Sequence, residues 1–222
     1  MAEQKKITDR KSLKKNRTRV LKSKRGYFAL HKIAIKEIEE RLQDINRNFQ
    51  KIAIITAYPK IWTSLFPDAF FLNDSDTLDF GLEKYDLIIH AMSLHWSDDP
   101  VGQLIQCKNM LIKDGLFLAV FFGGKTIHEL IDSFSKAEAK ISEGISPRFM
   151  PMGEIRDLGN LLQRAGFGLP VADSISKKYS YKSILTLMHD IRRMGETNVL
   201  LLRKKTFTQS KIINEMIKIY FE

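Results

Sequence analysis

The chain has 222 residues, 44% hydrophobic and 28% charged, which is a globular composition and excludes a collagen-like or wholly disordered chain. A single cysteine, Cys107, rules out an intrachain disulfide and a thiolate zinc site, and fits a reducing compartment. The net charge of +10 suggests an acidic polymer as partner, but eleven of the 36 basic residues and only two of the 26 acidic ones lie in residues 1–25, a local net of +9.

Residues 1–25 therefore read as a basic N-terminal arm, and residues 26–222 as one nearly neutral domain. The arm has few apolar anchors and no interleaved aromatic residue. A solvated, partly helical tail is the plainest reading, ahead of a nucleic-acid contact, a peripheral membrane contact or a targeting segment. No apolar run approaches the roughly 18 residues of a spanning helix.

Helical spacing of Phe28, Ala34, Ile35, Ile38, Leu42, Ile45 and Phe49 predicts a long amphipathic helix over 27–48, with Glu37 and Arg41 as an i,i+4 pair. Residues 51–56 and 85–92 are short, β-branched apolar runs, the form of buried strands. Asp99-Pro100 opens a helix that is expected to run to Ile112 and to stop at Asp114-Gly115. Leu116 to Phe122 reads as a third buried strand. Thr126 and Glu129 have capping-box spacing ahead of a helix ending near Gly144. Further helices are expected at 154–165, at 185–194 with Gly195 beyond its end, and from a Thr208 cap to Phe221. Residues 167–181 read as one or two weaker strands. Alternation of apolar strands with helices predicts an α/β layer fold with a mainly parallel sheet.

Gly124-Lys125-Thr126 stands between a strand and a helix, as a phosphate loop does. The glycine that a Walker loop needs five positions earlier is replaced by Ala119, so a tight turn explains the motif better. His31, His128 and His189 have no carboxylate or cysteine partner at ligand spacing, and no metal site is expected. No Gly-x-Ser-x-Gly elbow is present, so hydrolase-type nucleophilic catalysis has no support and no catalytic residue can be named. His95-Trp96 follows the strand 85–92, at the place where open α/β sheets form their ligand crevice.

Several collinear blocks carry a resemblance. They are Arg41 to Asn46, Tyr85 to His90, Ser93-Leu94-His95-Trp96, Leu111 to Phe117, Phe122 to Thr126, Ser146-Pro147, Asp157 to Phe167 and Met194 to Asn198. Together they resemble the class I S-adenosylmethionine methyltransferase-like proteins of bacteria and mitochondria related to the respiratory complex I assembly factor, and more loosely the biotin-synthesis methyltransferases. The resemblance implies a Rossmann-like, doubly wound sheet with S-adenosylmethionine at the carboxyl ends of the first strands. It implies a pocket lined by Asp74, Ser93, Leu94, His95 and Trp96. It also implies a bacterial cytoplasmic or mitochondrial matrix setting, and a protein substrate or complex I subunit as partner. The mitochondrial member is associated with hydroxylation of an arginine rather than with methylation.

Three departures from that pattern stand out. The stretch matching the family's acidic, glycine-rich first turn is Ile54-Ile-Thr-Ala-Tyr-Pro59, which has neither glycine nor acid. Only 32 residues separate Ile54 from Asp86, where two helices and two strands need roughly 45. A strand–helix unit is thus expected to be missing, with Leu72 to Phe80 as its remnant and Asp74 at the acidic position. Finally, the sequence ends at Glu222 without the family's further strand. These departures favour a methyltransferase-like protein with impaired or lost cofactor binding. A non-catalytic assembly or binding factor is the alternative, with a basic nucleic-acid binder as a third.

Overall fold

The computed structural model describes residues 6–23, 25–142 and 144–221. In chain order the elements are α1 (Arg10–Lys22), α2 (Ala29–Ile45), β1 (Ile52–Ile55), α3 (Pro59–Trp62), β2 (Phe70–Leu72), β3 (Tyr85–Ala91), a 3-10 turn (Leu94–Trp96), α4 (Pro100–Met110), β4 (Leu111–Val120), α5 (His128–Ile141), α6 (Ile155–Arg164), α7 (Ile184–Met194) and α8 (Ser210–Phe221). They fall into two units.

The first unit, Phe28–Gly123 with Gly153–Ser174, holds the sheet. Its strands run in the order β2-β1-β3-β4, every pair parallel. Strand alternation sends Ile54, Leu87 and Ile89 to one face, where they pack with Ala34, Ile38 and Trp62 of α2 and α3. Ala53, Ile55 and Ile88 go to the other face, with Cys107 of α4. Leu94, Leu104 and Ala165 join α4 to α6. Helices thus cover both faces, which is why β1 and the centre of β3, Leu87 to Ile89, form continuous apolar runs rather than alternating. This is the expected Rossmann-like α/β arrangement.

Between β1 and β3 the chain forms only the four-residue α3 and the three-residue β2. One helix and one strand fill the interval where two of each were counted for a full fold. The shortfall of residues is therefore a shortfall of one unit, and β2 is an outer strand of the sheet.

Several boundaries differ from expectation. Helix α4 ends at Met110, and β4 starts at once. Leu111 faces Tyr85 while Leu116 faces Leu87, so β4 bulges across Lys113-Asp114-Gly115, with Asp114 at φ +60°. The run Leu116–Phe122, read as a buried strand, is at most half-buried because β4 is the other outer strand. Residues 167–181 form no strand.

The second unit, Lys6–Tyr27 with Gly124–Met152 and Ile175–Glu222, is helical. Its core joins Leu130, Phe134 and Ala137 of α5 to Ile184 of α7 and to Ile212 and Met216 of α8. The capping box is not formed: α5 begins at His128, after Ile127 at φ +50°, with no side-chain cap. Thr208 Oγ1 accepts from Arg148 Nη1 at 3.0 Å, with α8 starting at Ser210. Glu138 is fully buried and accepts from Arg148 (2.6 Å) and from the Ser146 amide and hydroxyl. Burial alone would raise its pKa, but Arg148 and Ser146 together hold it below the usual carboxylate value.

Residues 1–5 and 24 of the basic segment lie outside the described residues. Residues 10–22 form α1, capped by Asp9, whose carboxylate accepts from the Ser12 amide (3.0 Å) and from Arg203 (2.8 Å). Leu13 and Val20 are buried, Asn16 Nδ2 donates to Thr197 Oγ1, and Thr8 bridges Leu200 in antiparallel fashion. The part of the segment that is described is an ordered helix of this unit, not a free tail.

Candidate functional site

Parallel pairing brings the carboxyl ends of the four strands to one edge. Ile55 lies opposite both Leu72 and His90, and Ala91 lies opposite Val120. The segments leaving that edge are Thr56 to Pro59 after β1, Asn73-Asp74 after β2, Met92 to Trp96 after β3, and Phe121-Phe122 after β4.

After β1 the chain turns into an aromatic cluster. The Thr56 amide donates to Leu72 O at 3.0 Å, prolonging the sheet by one residue. The Tyr58 amide donates to Thr56 Oγ1 at 3.2 Å, and Pro59 at once begins α3. The Tyr58 side chain is 1% exposed. Its ring meets Phe28 and His31 edge-on at 5.2 and 5.1 Å between centroids. Trp62 Nε1 donates to His31 Nδ1 at 3.3 Å, so His31 is a packed, hydrogen-bonded core residue. Three backbone features by which a turn receives an anionic group such as a carboxylate are therefore missing here: a glycine, an outward amide at 58 and an amide at 59.

After β2, Asp74 is 5% exposed. The loop beyond it is held by two glutamines of α4. Gln103 Nε2 donates to Ser75 O at 2.8 Å, and Gln106 Nε2 donates to Asp76 O at 3.1 Å. Gln106 Oε1 accepts from the Leu78 amide at 2.8 Å. Leu78 and Phe80 then enter the core below, and the Tyr85 hydroxyl donates to Phe80 O.

After β3, Met92 turns the chain at φ +55°, while its amide donates to Val120 O at 2.7 Å. Ser93, Leu94 and Trp96 are buried, and His95 is half-buried between the Trp96 and Phe122 rings, with centroids 5.4 and 5.1 Å away. Beneath them His90 is fully buried, with Nε2 at 3.0 Å from Gln103 Oε1 and Nδ1 at 3.3 Å from Ser93 Oγ. Because the Gln103 amide nitrogen is committed to Ser75, its oxygen must accept, so the network assigns the proton to His90 Nε2. Ser93 then donates to Nδ1.

All five sequence-predicted pocket residues thus lie at the carboxyl edge. Asp74 stands on the far side of β1 from Ser93–Trp96, and Gln103 links the two groups by bonding both Ser75 and His90. Neither Gln103 nor the bonding of His90 was legible beforehand, since a polar residue inside an amphipathic helix carries no signal of its partner. Gly124-Lys125-Thr126 forms a turn with Gly124 at φ +56°. Among the described residues no three histidine, cysteine or acidic side chains cluster as a metal site would require.

No family profile matches the chain. Individual proteins do. The mitochondrial arginine-hydroxylase NDUFAF5 of Rattus norvegicus is 35% identical over 176 residues, covering 78% of this chain and 48% of the relative. The Homo sapiens protein of the same name is 37% identical over 132 residues, 60% of this chain and 38% of the relative. The chain is a homologue of these methyltransferase-like proteins. The malonyl-(acyl-carrier protein) O-methyltransferase of Xylella fastidiosa adds a bacterial relative, 30% identical over 64% of this chain and 46% of its own length. The chain spans about half the length of the curated relatives it matches.

Proposed function

We propose that this chain is a methyltransferase-like protein tied to respiratory complex I assembly that no longer binds S-adenosylmethionine, and that it acts by binding a protein partner in a mitochondrial matrix or bacterial cytoplasm. The observation that carries this reading is the buried Tyr58. In a doubly wound sheet the cofactor lies across the first turn, where a small residue lets the backbone approach. Here Tyr58 fills that approach, packed on Phe28 and His31, and Pro59 offers no donor. Opening the turn would expose an aromatic ring whose burial is worth about 1.5–3 kcal/mol. Asp74 and Ser93 to Trp96 would still suit the adenosine half of the ligand, but the methionine half meets the closed turn. The residues therefore do not fit the cofactor as a whole.

Homology to NDUFAF5 supports the link to complex I, with the relatives' names placing those proteins in mitochondria. No helix of the described residues is long and apolar enough to cross a membrane. A cell lacking this protein tests the reading. Its complex I content, measured on native gels, should be restored equally by the wild type and by His95→Ala. Failure of a folded His95→Ala variant to restore it would show that the edge performs chemistry.

A further inference from the structure

Ile52, Phe70 and Tyr85 are the first residues of β1, β2 and β3, and they line one cavity of about 290 Å³. It lies at the amino edge of the sheet, away from Asp74 and Ser93 to Trp96, and the proposed function makes no use of it. Its wall is aromatic. Phe70 stacks on Tyr85 with centroids 6.0 Å apart and planes 26° from parallel. Phe80 meets the Tyr85 ring at 5.9 Å, and the Tyr85 hydroxyl is committed to Phe80 O at 2.8 Å. Tyr85 and Phe80 are buried, so the ring left open to a ligand is Phe70, which is 43% exposed. Leu82 also lines the cavity and is fully exposed, carried by a turn in which Gly81 has φ +70°. The rim is acidic on a chain whose net charge is +10: Asp68 and Glu83 line it against Lys51. Lys51 Nζ holds Glu83 at 3.0 Å, while Asp68 is exposed and has no ion pair among the described residues.

A single exposed apolar side chain is ordinary on a protein surface. Here Phe70 and Leu82 share a concave site with two carboxylates, and that combination selects a class of ligand. An anion is repelled by Asp68 and Glu83. A neutral apolar ligand would cover those carboxylates without bonding them, which is costly. An organic cation meets both conditions, because its charge bonds the carboxylates while its carbon chain lies on Phe70 and Leu82. Lys51 indicates the kind of cation: the rim already holds an alkylammonium against Glu83, in an exposed pair that exchanges at little cost. We propose that this cavity binds an alkylammonium cation, with the charge at Asp68 and Glu83 and the alkyl chain on the open face of Phe70. The ligand is a free amine or the lysine side chain of a partner protein, which share this chemistry. The site is independent of the β1 turn, so its failure would leave the reading of cofactor loss untouched, and the reverse.

Titration of the full, isotope-labelled chain with n-butylammonium, followed by amide NMR shifts, tests this. Saturable shifts should appear at Asp68, Phe70, Gly81 and Leu82 at millimolar probe, and not at Ser93 to Trp96. n-Butanol, of equal chain length and no charge, should give none, and added sodium chloride should weaken the ammonium's binding. Acetyl-lysine methylamide carries the same ammonium on a peptide unit. Tighter binding than n-butylammonium assigns the site to a protein's lysine, and weaker binding assigns it to a free amine. Asp68→Asn with Glu83→Gln removes both charges and should lose at least about tenfold in affinity. Both side chains are exposed, so the fold should be unchanged. Phe70→Leu keeps an apolar side chain, removes the ring and should lose about threefold. Equal shifts with n-butanol, no saturable shift with either ammonium, or a double variant that binds like the wild type would overturn the proposal. The contrast between n-butylammonium and n-butanol is read on the wild type, so it decides the matter even where a variant misfolds.

Discussion

Two turns leave the same sheet edge and have had different fates. The turn after β3 leaves one side chain partly accessible: Met92 is left-handed, Ser93, Leu94 and Trp96 are buried, and His95 alone is half-buried, with the Ser93 hydroxyl bonded to His90 beneath. The turn after β1 has become core: Tyr58 and Trp62 are buried, and α3 starts without a loop. The sheet is the same on both sides, so the difference arises in a few residues. A ligand site needs backbone that stays accessible, and a core needs backbone that is covered. The β1 turn meets the second condition, with Tyr58 and Trp62 buried, while the β3 turn leaves His95 partly accessible.

The largest expected effect follows from that contrast. Tyr58→Ala should destabilise the first unit by about 3–5 kcal/mol, the range for an aromatic deleted from a core, as read from denaturant midpoints. A loss below about 1 kcal/mol would show that the β1 turn is not core. Next comes the link between the two groups of edge residues. Gln103→Leu leaves Ser75 O and His90 Nε2 without their partner and should cost about 1–3 kcal/mol. Hydrogen exchange should rise at Leu78, whose loop is held by α4, more than in β1. The smallest effect belongs to the β3 turn. His95→Ala removes a half-buried ring and should cost about 1 kcal/mol or less, since little buried area is lost. A larger cost would make the two turns alike.

Much of this was legible in the sequence for physical reasons. Asp99 accepts from the Gly102 amide at 2.8 Å, and Gly166 and Gly195 take φ of +81° and +85° at helix ends, because capping is local chemistry. Glu37 and Arg41 pair at 3.3 Å as their spacing requires. Chain length between Ile54 and Asp86 told how many elements could fit. What failed was non-local. The apolar Leu116–Phe122 run does not reveal that its strand is an outer one. Thr126 has the right spacing for a cap, but Ile127 turns left-handed and starts the helix one residue late. The missing glycine after β1 was visible as an absence, whereas the side chains that fill the space, Phe28 just before α2, His31 of α2 and Trp62 of α3, come together only once the chain is folded.

The central claim is that the β1 turn is closed to the cofactor. Calorimetric titration of the folded chain with S-adenosylmethionine tests it most directly. The closed turn predicts no saturable heat at micromolar ligand, whereas a saturable isotherm with a micromolar Kd would contradict it.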